Sequence, residues 1–382
     1  MGIDYDFVVG GGSVAGLTFA SEAARKGMSV LVIEEHDEIG EPEKCDGLVS
    51  LRGLRKYGHP PQERAIQNHI LSAVVHSPQG RRLPVNASSL EVVVLDRSEY
   101  DRELMEEARE AGAEVRAGVR VASASEAGGR VAVEAKGATV TCRYYVDATG
   151  PASSPRRGIL PAAKYEVEGD WVRSRTVEVF LDASRYPGFF AWVIPTGRGA
   201  AKVGAAGMGI NPFRALDAFL ADRPCKLIRR VSAPIYVGGP APQFVRGRTI
   251  AVGESAGQVK PSTAGGIMTS VAGAVMAARW ASEAVKTGRG SLLANYRRDW
   301  NSAFDRELRV MAGLRSAFER LDNSDMEALM DTLATPRLIL RLSQADFDFH
   351  ATAFLGALGL PGIFGVAKVV AVSGLRSLAG RR

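Results

Sequence analysis

The chain has 382 residues, 46% hydrophobic and 24% charged, with a net charge of +6. This balance excludes a disordered or fibrous protein and is enough for one large or two intermixed domains. Arginine is spread along the chain without a basic tract or an aromatic–basic platform, so nothing points to nucleic acid, while an anionic membrane surface or a phosphorylated substrate suits the charge.

The first informative stretch runs from Asp4 to Glu35. Phe7, Val8 and Val9 form a short apolar run, as expected of a strand buried on both faces. Gly10, Gly11 and Gly12 turn the chain. From Ser13 to Arg25 the apolar residues have helical spacing, and Gly27 ends that helix. Val30 to Ile33 is a second buried strand with Glu34 at its carboxyl end. Free amides at a helix N-terminus, approached closely because glycine has no side chain, form a pyrophosphate cradle. An acid roughly twenty residues on accepts hydrogen bonds from a ribose. The preferred register is Gly11-x-Ser13-x-x-Gly16, which places Gly16 at the helix–strand contact; Gly10-x-Gly12-x-x-Ala15 is the alternative. A dinucleotide site is expected here.

The loop 36–50 contains Cys45 between Lys44 and Asp46. Two readings stand: a thiolate activated by the lysine, or a small loop residue packing on a cofactor. Cys142 and Cys225 complete a set of cysteines too few and scattered for a disulfide framework or a zinc site, so no metal is expected and a reducing cytoplasm is. Ile70 to His76 and Leu90 to Leu95 predict antiparallel strands, with a turn at 77–80. A helix then runs to Ala111, with Ser98 as its expected N-cap supported by Asp101. Arg97 lies at the strand–helix junction, either as a solvated surface charge or as a site residue.

Val119 to Ala124 and Arg130 to Ala135 predict a hairpin through Gly128 and Gly129. Thr139 to Val146 predicts a strand ending in Asp147-Ala148-Thr149-Gly150. Strands are expected over Trp171 to Leu181, Phe189 to Pro195 and Ala201 to Ala205, with a helix at Pro212 to Ala221. Alternation puts Phe190 and Trp192 on one strand face, as core residues or as a wall for a large apolar ligand. Thr249 to Val252 is a strand leading into Gly253-Glu254-Ser255-Ala256-Gly257. The Gly265-Gly266-Ile267 turn then opens a long apolar helix, again the geometry of an anion site. Tyr296, Trp300, Phe304, Leu308 and Met311 form a helical stripe expected to be core.

The tail from Phe354 to Leu378 is apolar, with basic residues near its end. It caps the fold or lies in a membrane interface, and the basic residues favour the membrane. No signal peptide precedes the first strand. The uncharged stretch Ala351 to Ala367 is broken by Pro361 and is about seventeen residues long, short for a span.

The N-terminal Gly-rich unit, Asp147-Ala148-Thr149-Gly150 and Gly253-Glu254-Ser255-Ala256-Gly257 together resemble the FAD-binding fold of p-hydroxybenzoate hydroxylase-like flavoproteins. Three further features resemble the geranylgeranyl reductase family, closest to the archaeal enzymes that saturate ether phospholipids. These are Ile39-Gly40-x-Pro42-x-x-Cys45-x-Gly47-Leu48-Val49-Ser50, then Phe190-x-Trp192-x-Ile194-Pro195, then Gly257-Gln258-Val259-Lys260-Pro261 leading to Gly265-Gly266-Ile267. The second varies that family's Tyr-x-Trp-x-Phe-Pro. Glu254 stands where these flavoproteins usually have Asp, and Ser13 where they usually have Gly.

The resemblance implies an α/β (α+β mixed) fold: an FAD-binding Rossmann-like domain, an antiparallel-sheet substrate domain and a helical C-terminal region. The expected division is 1–70, 96–160 and 249–290 for FAD, 71–95 and 161–248 for substrate, and 291–382 for the helical region. FAD is expected near Gly11, Gly12, Ala15, Gly16, Glu34, Cys45, Asp46, Gly47, Arg97, Val121, Gly253, Glu254, Gly265, Gly266 and Ile267. Phe190 and Trp192 are expected to line the substrate pocket, and Cys45 to assist catalysis. The implied partners are a prenylated lipid substrate, NAD(P)H or ferredoxin as electron donor, and a membrane surface bound peripherally from the cytoplasm. Two other readings share parts of this pattern. A flavin monooxygenase of an aromatic or quinone substrate has the nucleotide segments without the cysteine loop. A non-catalytic prenyl-lipid carrier would need no flavin.

Overall fold

A computed structural model describes residues 3–86, 91–151, 158–344, 347–352, 354–356 and 358. The apolar run after Asp4 forms β1 (Tyr5–Gly10), the small-residue segment forms α1 (Val14–Ala24), and the next apolar run forms β2 (Val30–Ile33). β2 is buried along its whole length, as a central parallel strand must be.

β1 lies between β2 and the strand Ala138–Asp147, both parallel to it. Glu114–Arg116 continues the sheet beyond β2, and Thr249–Ala251 continues it beyond Asp147. The hairpin of Val121–Ala127 and Arg130–Ala135 extends from the strand 138–147. The register aligns Gly10 with Ile33 and with Asp147, and Asp147 with Ala251. Four carboxyl ends therefore finish level, and the four loops that follow them emerge on one edge. This is where open α/β sheets bind ligands.

The second sheet has seven strands, ordered Lys226–Ser232, Ala162–Glu168, Ala200–Ala206, Ala191–Gly197, Thr176–Phe180, Ser72–His76 and Arg82–Asn86. Its pairs are antiparallel except Ser72–His76 with Thr176–Phe180, which is parallel. The strand expected over 171–181 begins only at Thr176, because a turn follows the strand 162–168, whose pairing with 200–206 ends at the Gly169–Gly199 bond. A small sheet of Leu48–Ser50, Val92–Leu95 and Ile66–His69 lies between the two larger ones. The interval 71–95 thus contributes to two sheets.

The helix α2 (Arg97–Glu110) begins earlier than expected. Its N-cap is Asp96, whose carboxylate accepts the Glu99 amide at 2.9 Å. Ser98 does not cap; its hydroxyl donates to the Gly40 carbonyl and to Glu41. The helix α3 (Pro212–Leu220) covers one face of the second sheet, with Leu216 and Phe219 buried. The helix α4 (Ile267–Thr287) packs on α1 through small residues, among them Ala20 and Ala23 on one side and Ala274, Ala277, Ala278 and Ala281 on the other. Small side chains let two backbones approach and exclude water between them. The stripe from Tyr296 to Met311 lies on α5 (Ala294–Phe318) and is buried, so it is core. Most of the apolar tail at 354–378, and of the stretch 351–367, lies outside the described residues. No helix among the described residues is long and apolar enough to cross a membrane.

Candidate active site

The level carboxyl ends of the first sheet bring three distant loops into contact. Gly11 adopts φ +106°, and a Cβ there would lie 2.3 Å from the Ala148 carbonyl. A Cβ at Gly16 would lie 1.9 Å from the Gly11 carbonyl. Only glycine permits both contacts, and they place α1 tight against the strand end in the Gly11-x-Ser13-x-x-Gly16 register. The Asp147 carboxylate accepts from Thr149 and from Ser255, and Ser255 also accepts the Gly150 amide. The turn after the third strand is thereby tied to the Gly253–Ala256 segment.

Glu34 sits at the end of β2, with Oε2 accepting the Gly12 amide at 2.6 Å and Oε1 accepting from the His36 backbone amide and ring. Oε1 thus has both lone-pair positions filled, and Oε2 retains capacity for another donor. Val121 opens its strand two residues after Val119, whose amide donates to the Glu34 carbonyl. Ala15 is in the first turn of α1, and Ser13 gives that helix no side-chain cap. Its hydroxyl is held instead by Arg97 and Asp101.

Arg97 is buried, which removes the surface-charge reading. Its Nη2 bonds both oxygens of Asp101, at 2.8 and 3.0 Å, and it also interacts with the Cys45 side chain. Burial works against its charge, but Asp101 and Cys45 outweigh this and hold the guanidinium above its usual pKa. Glu254 faces the same guanidinium; burial raises its carboxyl and Arg97 partly offsets the rise. Gly253 has φ +61°, and a Cβ there would lie 2.6 Å from the Ala15 side chain. Gly266 is the N-cap of α4 with no side-chain cap, so the amides following Gly265, Gly266 and Ile267 face outward from a helix start. Two uncapped helix starts, a glycine cradle and two acids at strand ends fit a dinucleotide.

The cysteine loop sits where the two large sheets meet. Gly47 has φ +80°, and a Cβ there would lie 2.2 Å from the Leu95 carbonyl; the Cys45 sulfur accepts the Gly47 amide at 3.5 Å. From the second sheet, Lys164 donates to the Cys45 carbonyl at 2.9 Å. Lys202 pairs with Glu43 at 2.6 Å, and Arg229 reaches Glu43 at 3.1 Å. Burial opposes the charge on Glu43, but Lys202 and Lys164 overcome it and keep the carboxyl below its ordinary range. The Trp192 indole donates to Asp46 Oδ2 at 2.7 Å. Burial lifts the Asp46 carboxyl above its ordinary range against the pull of Lys164 and Lys202.

Phe190 and Trp192 share one apolar cluster with Phe189. The rings of Phe189 and Phe190 stack at 4.0 Å, and Trp192 meets Phe190 edge-on at 6.0 Å. The indole lies over Gly204, where a Cβ would fall 2.2 Å from the ring.

Glu43, Lys164, Lys202, Gly204 and Arg229 were not among the expected site residues. The available signal was the repeated tripeptide Ala-Ala-Lys at 162–164 and 200–202, which sets a lysine within an apolar strand. Such a lysine is buried only when paired. Among the described residues no cluster of His, Cys, Asp and Glu has metal-binding geometry.

Residues 4–208 match the FAD binding domain family. The chain is 32% identical to a digeranylgeranylglycerophospholipid reductase of Methanothermobacter thermautotrophicus over 86% of this chain and 91% of that protein. A reductase of the same name from Methanopyrus kandleri is 30% identical over 87% of this chain and 91% of its own length. Among solved structures, a geranylgeranyl bacteriochlorophyll reductase-like protein of Thermoplasma acidophilum superposes with a TM-score of 0.85 at 22% identity, over 96% of this chain and 98% of that one. The p-nitrophenol 4-monooxygenase of Pseudomonas putida superposes with a TM-score of 0.70 at 18% identity, over 92% and 99%. These two likenesses show the fold alone.

Proposed function

The chain belongs to the digeranylgeranylglycerophospholipid reductase family, within the wider FAD binding domain family, and from that premise we propose that this FAD-dependent oxidoreductase saturates the double bonds of geranylgeranyl chains carried by a glycerophospholipid. The observation that carries the reading is the 2.7 Å bond between Trp192 and Asp46. It fastens an aromatic wall to the loop beside the nucleotide cradle, so a greasy chain lying on that wall is held next to the cofactor.

Gly11, Gly12, Ala15 and Gly16 would cradle the pyrophosphate, and Glu34 and Glu254 would accept from its sugar hydroxyls. Val121, Gly253, Gly265, Gly266 and Ile267 would border the cofactor, with Cys45, Asp46, Gly47 and Arg97 alongside the ring. Bound and reduced, FAD would supply the hydride for the alkene, and a proton would complete the saturation. An isolated alkene is not polarised, so the protein's share is to hold the chain in line, exclude water and deliver that proton. Phe190 and Trp192 form the wall of the chain pocket. Cys45, fixed by Gly47, Lys164 and Arg97, assists transfer at the ring. NAD(P)H or ferredoxin supplies the electrons. The protein meets its lipid at the cytoplasmic membrane surface as a peripheral protein.

The test is anaerobic. The holoenzyme is reduced with dithionite and given digeranylgeranylglycerophospholipid. Flavin reoxidation with a product heavier by two hydrogens per bond is expected. Oxygen consumption with NAD(P)H and a hydroxylated product, in place of saturation, would overturn the reading in favour of a monooxygenase.

A further inference from the structure

The cysteine loop is fastened to the second sheet by charge, and the fastening converges on one buried side chain. Glu43 Oε1 accepts from the Lys202 ammonium at 2.6 Å and from the Arg97 amide, at the start of α2, at 3.1 Å. Oε2 accepts from Arg229 at 3.1 Å and from Lys164 at 3.4 Å. Two donors on each oxygen fill the acceptor positions of an ionised carboxylate. The charged donors come from three different strands, 162–168, 200–206 and 226–232. One carboxylate thus joins the loop to three strands of one sheet and to the helix that follows the small sheet.

The two lysine side chains are 1% and 2% exposed, so neither can rely on water for its charge. Lys202 is given over to Glu43. Lys164 has a choice. Its ammonium donates to the Cys45 carbonyl at 2.9 Å and lies 3.4 Å from Glu43, but Glu166 of its own strand stands 3.7 Å away. Residues 164 and 166 share one face of the strand, so Glu166 draws the ammonium back along the sheet. Glu43 draws it forward to the loop, and also takes a share of Arg229, which otherwise pairs with Glu166 at 2.6 Å. A carboxylate needed only to neutralise lysines has no reason to stand two residues from Cys45. This one holds an ammonium on the Cys45 carbonyl.

We propose that Glu43 is a positioning residue for the reduction: by holding Lys164 on the Cys45 carbonyl, it fixes where Cys45 lies beside the cofactor. Its part in turnover rests on the lipid-reduction reading above. Glu43 and Lys164 touch neither substrate nor cofactor in this scheme and act through the backbone of the loop. The aromatic wall is fastened separately, by the Trp192 bond to Asp46. Removing the Glu43 charge therefore loosens Cys45 and leaves the wall in place, so transfer slows while lipid binding persists.

The experiment follows Cys45 and turnover together in four FAD-loaded proteins: wild type, Glu43→Gln, Lys164→Met and the double variant Glu43→Gln/Lys202→Met. Each is treated with iodoacetamide, and the alkylated peptides are timed by mass spectrometry. Cys225, a free and half-buried thiol just before the strand 226–232, reports general loosening. E43Q and K164M are expected to alkylate Cys45 about 10-fold faster or more, with Cys225 unchanged. In single turnovers of dithionite-reduced enzyme with digeranylgeranylglycerophospholipid, their limiting rate is expected to fall about 10- to 100-fold. The half-saturating lipid concentration should stay close to that of the wild type. E43Q strands the Lys202 ammonium, so its urea midpoint should fall. The double variant removes that ammonium and should regain stability, yet its Cys45 should still alkylate fast and its turnover stay slow. If E43Q does not fold, the double variant and K164M decide. Recovery of the rate along with stability in the double variant overturns the proposal, since Glu43 would then only neutralise charge. So does a K164M that behaves as wild type, or an equal acceleration of Cys45 and Cys225. A wild type that forms no saturated lipid sinks the lipid-reduction reading, and the alkylation rates then judge the Glu43–Lys164–Cys45 link by themselves.

Discussion

At the scale of single residues, the site depends on side chains that are absent as much as on those present. Gly204 is the clearest case outside the nucleotide cradle. A Cβ there would lie 2.2 Å from two ring carbons of Trp192 and 2.6 Å from its Nε1. Gly204→Ala must therefore push the indole off its seat and lengthen the bond to Asp46. Overpacking of this kind costs about 1–3 kcal/mol, so the urea midpoint should fall and the Trp192 fluorescence should change with it. An unaltered midpoint and emission spectrum would mean that the ring tolerates the methyl group. Gly16 was legible in the sequence because its constraint is local, a close approach to the Gly11 carbonyl within one turn into a helix. Gly204 was not, since the ring it accommodates belongs to the neighbouring strand.

Pairs of elements are joined by buried charges that local patterns do not reveal. His59 carries no exposed surface and sits between Glu22 of α1 and Glu107 of α2, with Nδ1 at 3.0 Å from Glu107 and Nε2 at 3.6 Å from Glu22. Burial alone would lower its pKa, but the two glutamates reverse this and raise it above 6.5. Glu22 is held down at about 2, chiefly by its bond to His59 against the cost of burial. The folded state thus binds the proton more tightly than the unfolded chain. Its contribution to stability is complete below the unfolded histidine value and is lost as pH rises through the raised folded value. Urea midpoints should accordingly drop across neutral pH in the wild type, and this component of the slope should vanish in His59→Gln. Persistence of the whole slope in the variant would assign it to other groups. The helices themselves were readable from 3.6-residue spacing, whereas the ion pair that staples them was not. Lys202 and Glu43, 159 residues apart, illustrate the same limit: each looks like an ordinary surface charge until the fold brings both inside.

For the molecule as a whole, the question is how the end of the chain bears on a cradle built mostly from its beginning. The three nucleotide segments were readable because glycine, an acid and an apolar run each leave a compact trace, and the register of one parallel sheet then brings them to a common edge. The C-terminal region carried no such trace, yet it closes the Gly265–Gly266 turn from behind. Lys260 bonds the Gly265 carbonyl through its amide, and its ammonium pairs with Asp348 at 2.8 Å, with both side chains buried. Glu307 of α5 accepts the amides of Ala351 and Thr352, which anchors the segment bearing Asp348 to the core stripe. Asp348→Ala would leave the Lys260 ammonium buried and unpaired, at a cost of about 3–5 kcal/mol. The 260–266 turn would relax first, because the lost ion pair lies within it and local opening needs less than global unfolding. The variant should therefore release flavin on mild heating or dilution before the remainder of the fold melts, seen as a rise in free-flavin fluorescence below the main unfolding transition. Release that coincides with global unfolding, as in the wild type, would show that the cradle holds its ligand without the tether. Early release would make the C-terminal region a working part of the cofactor site, joined through Lys260 to the turn that opens α4.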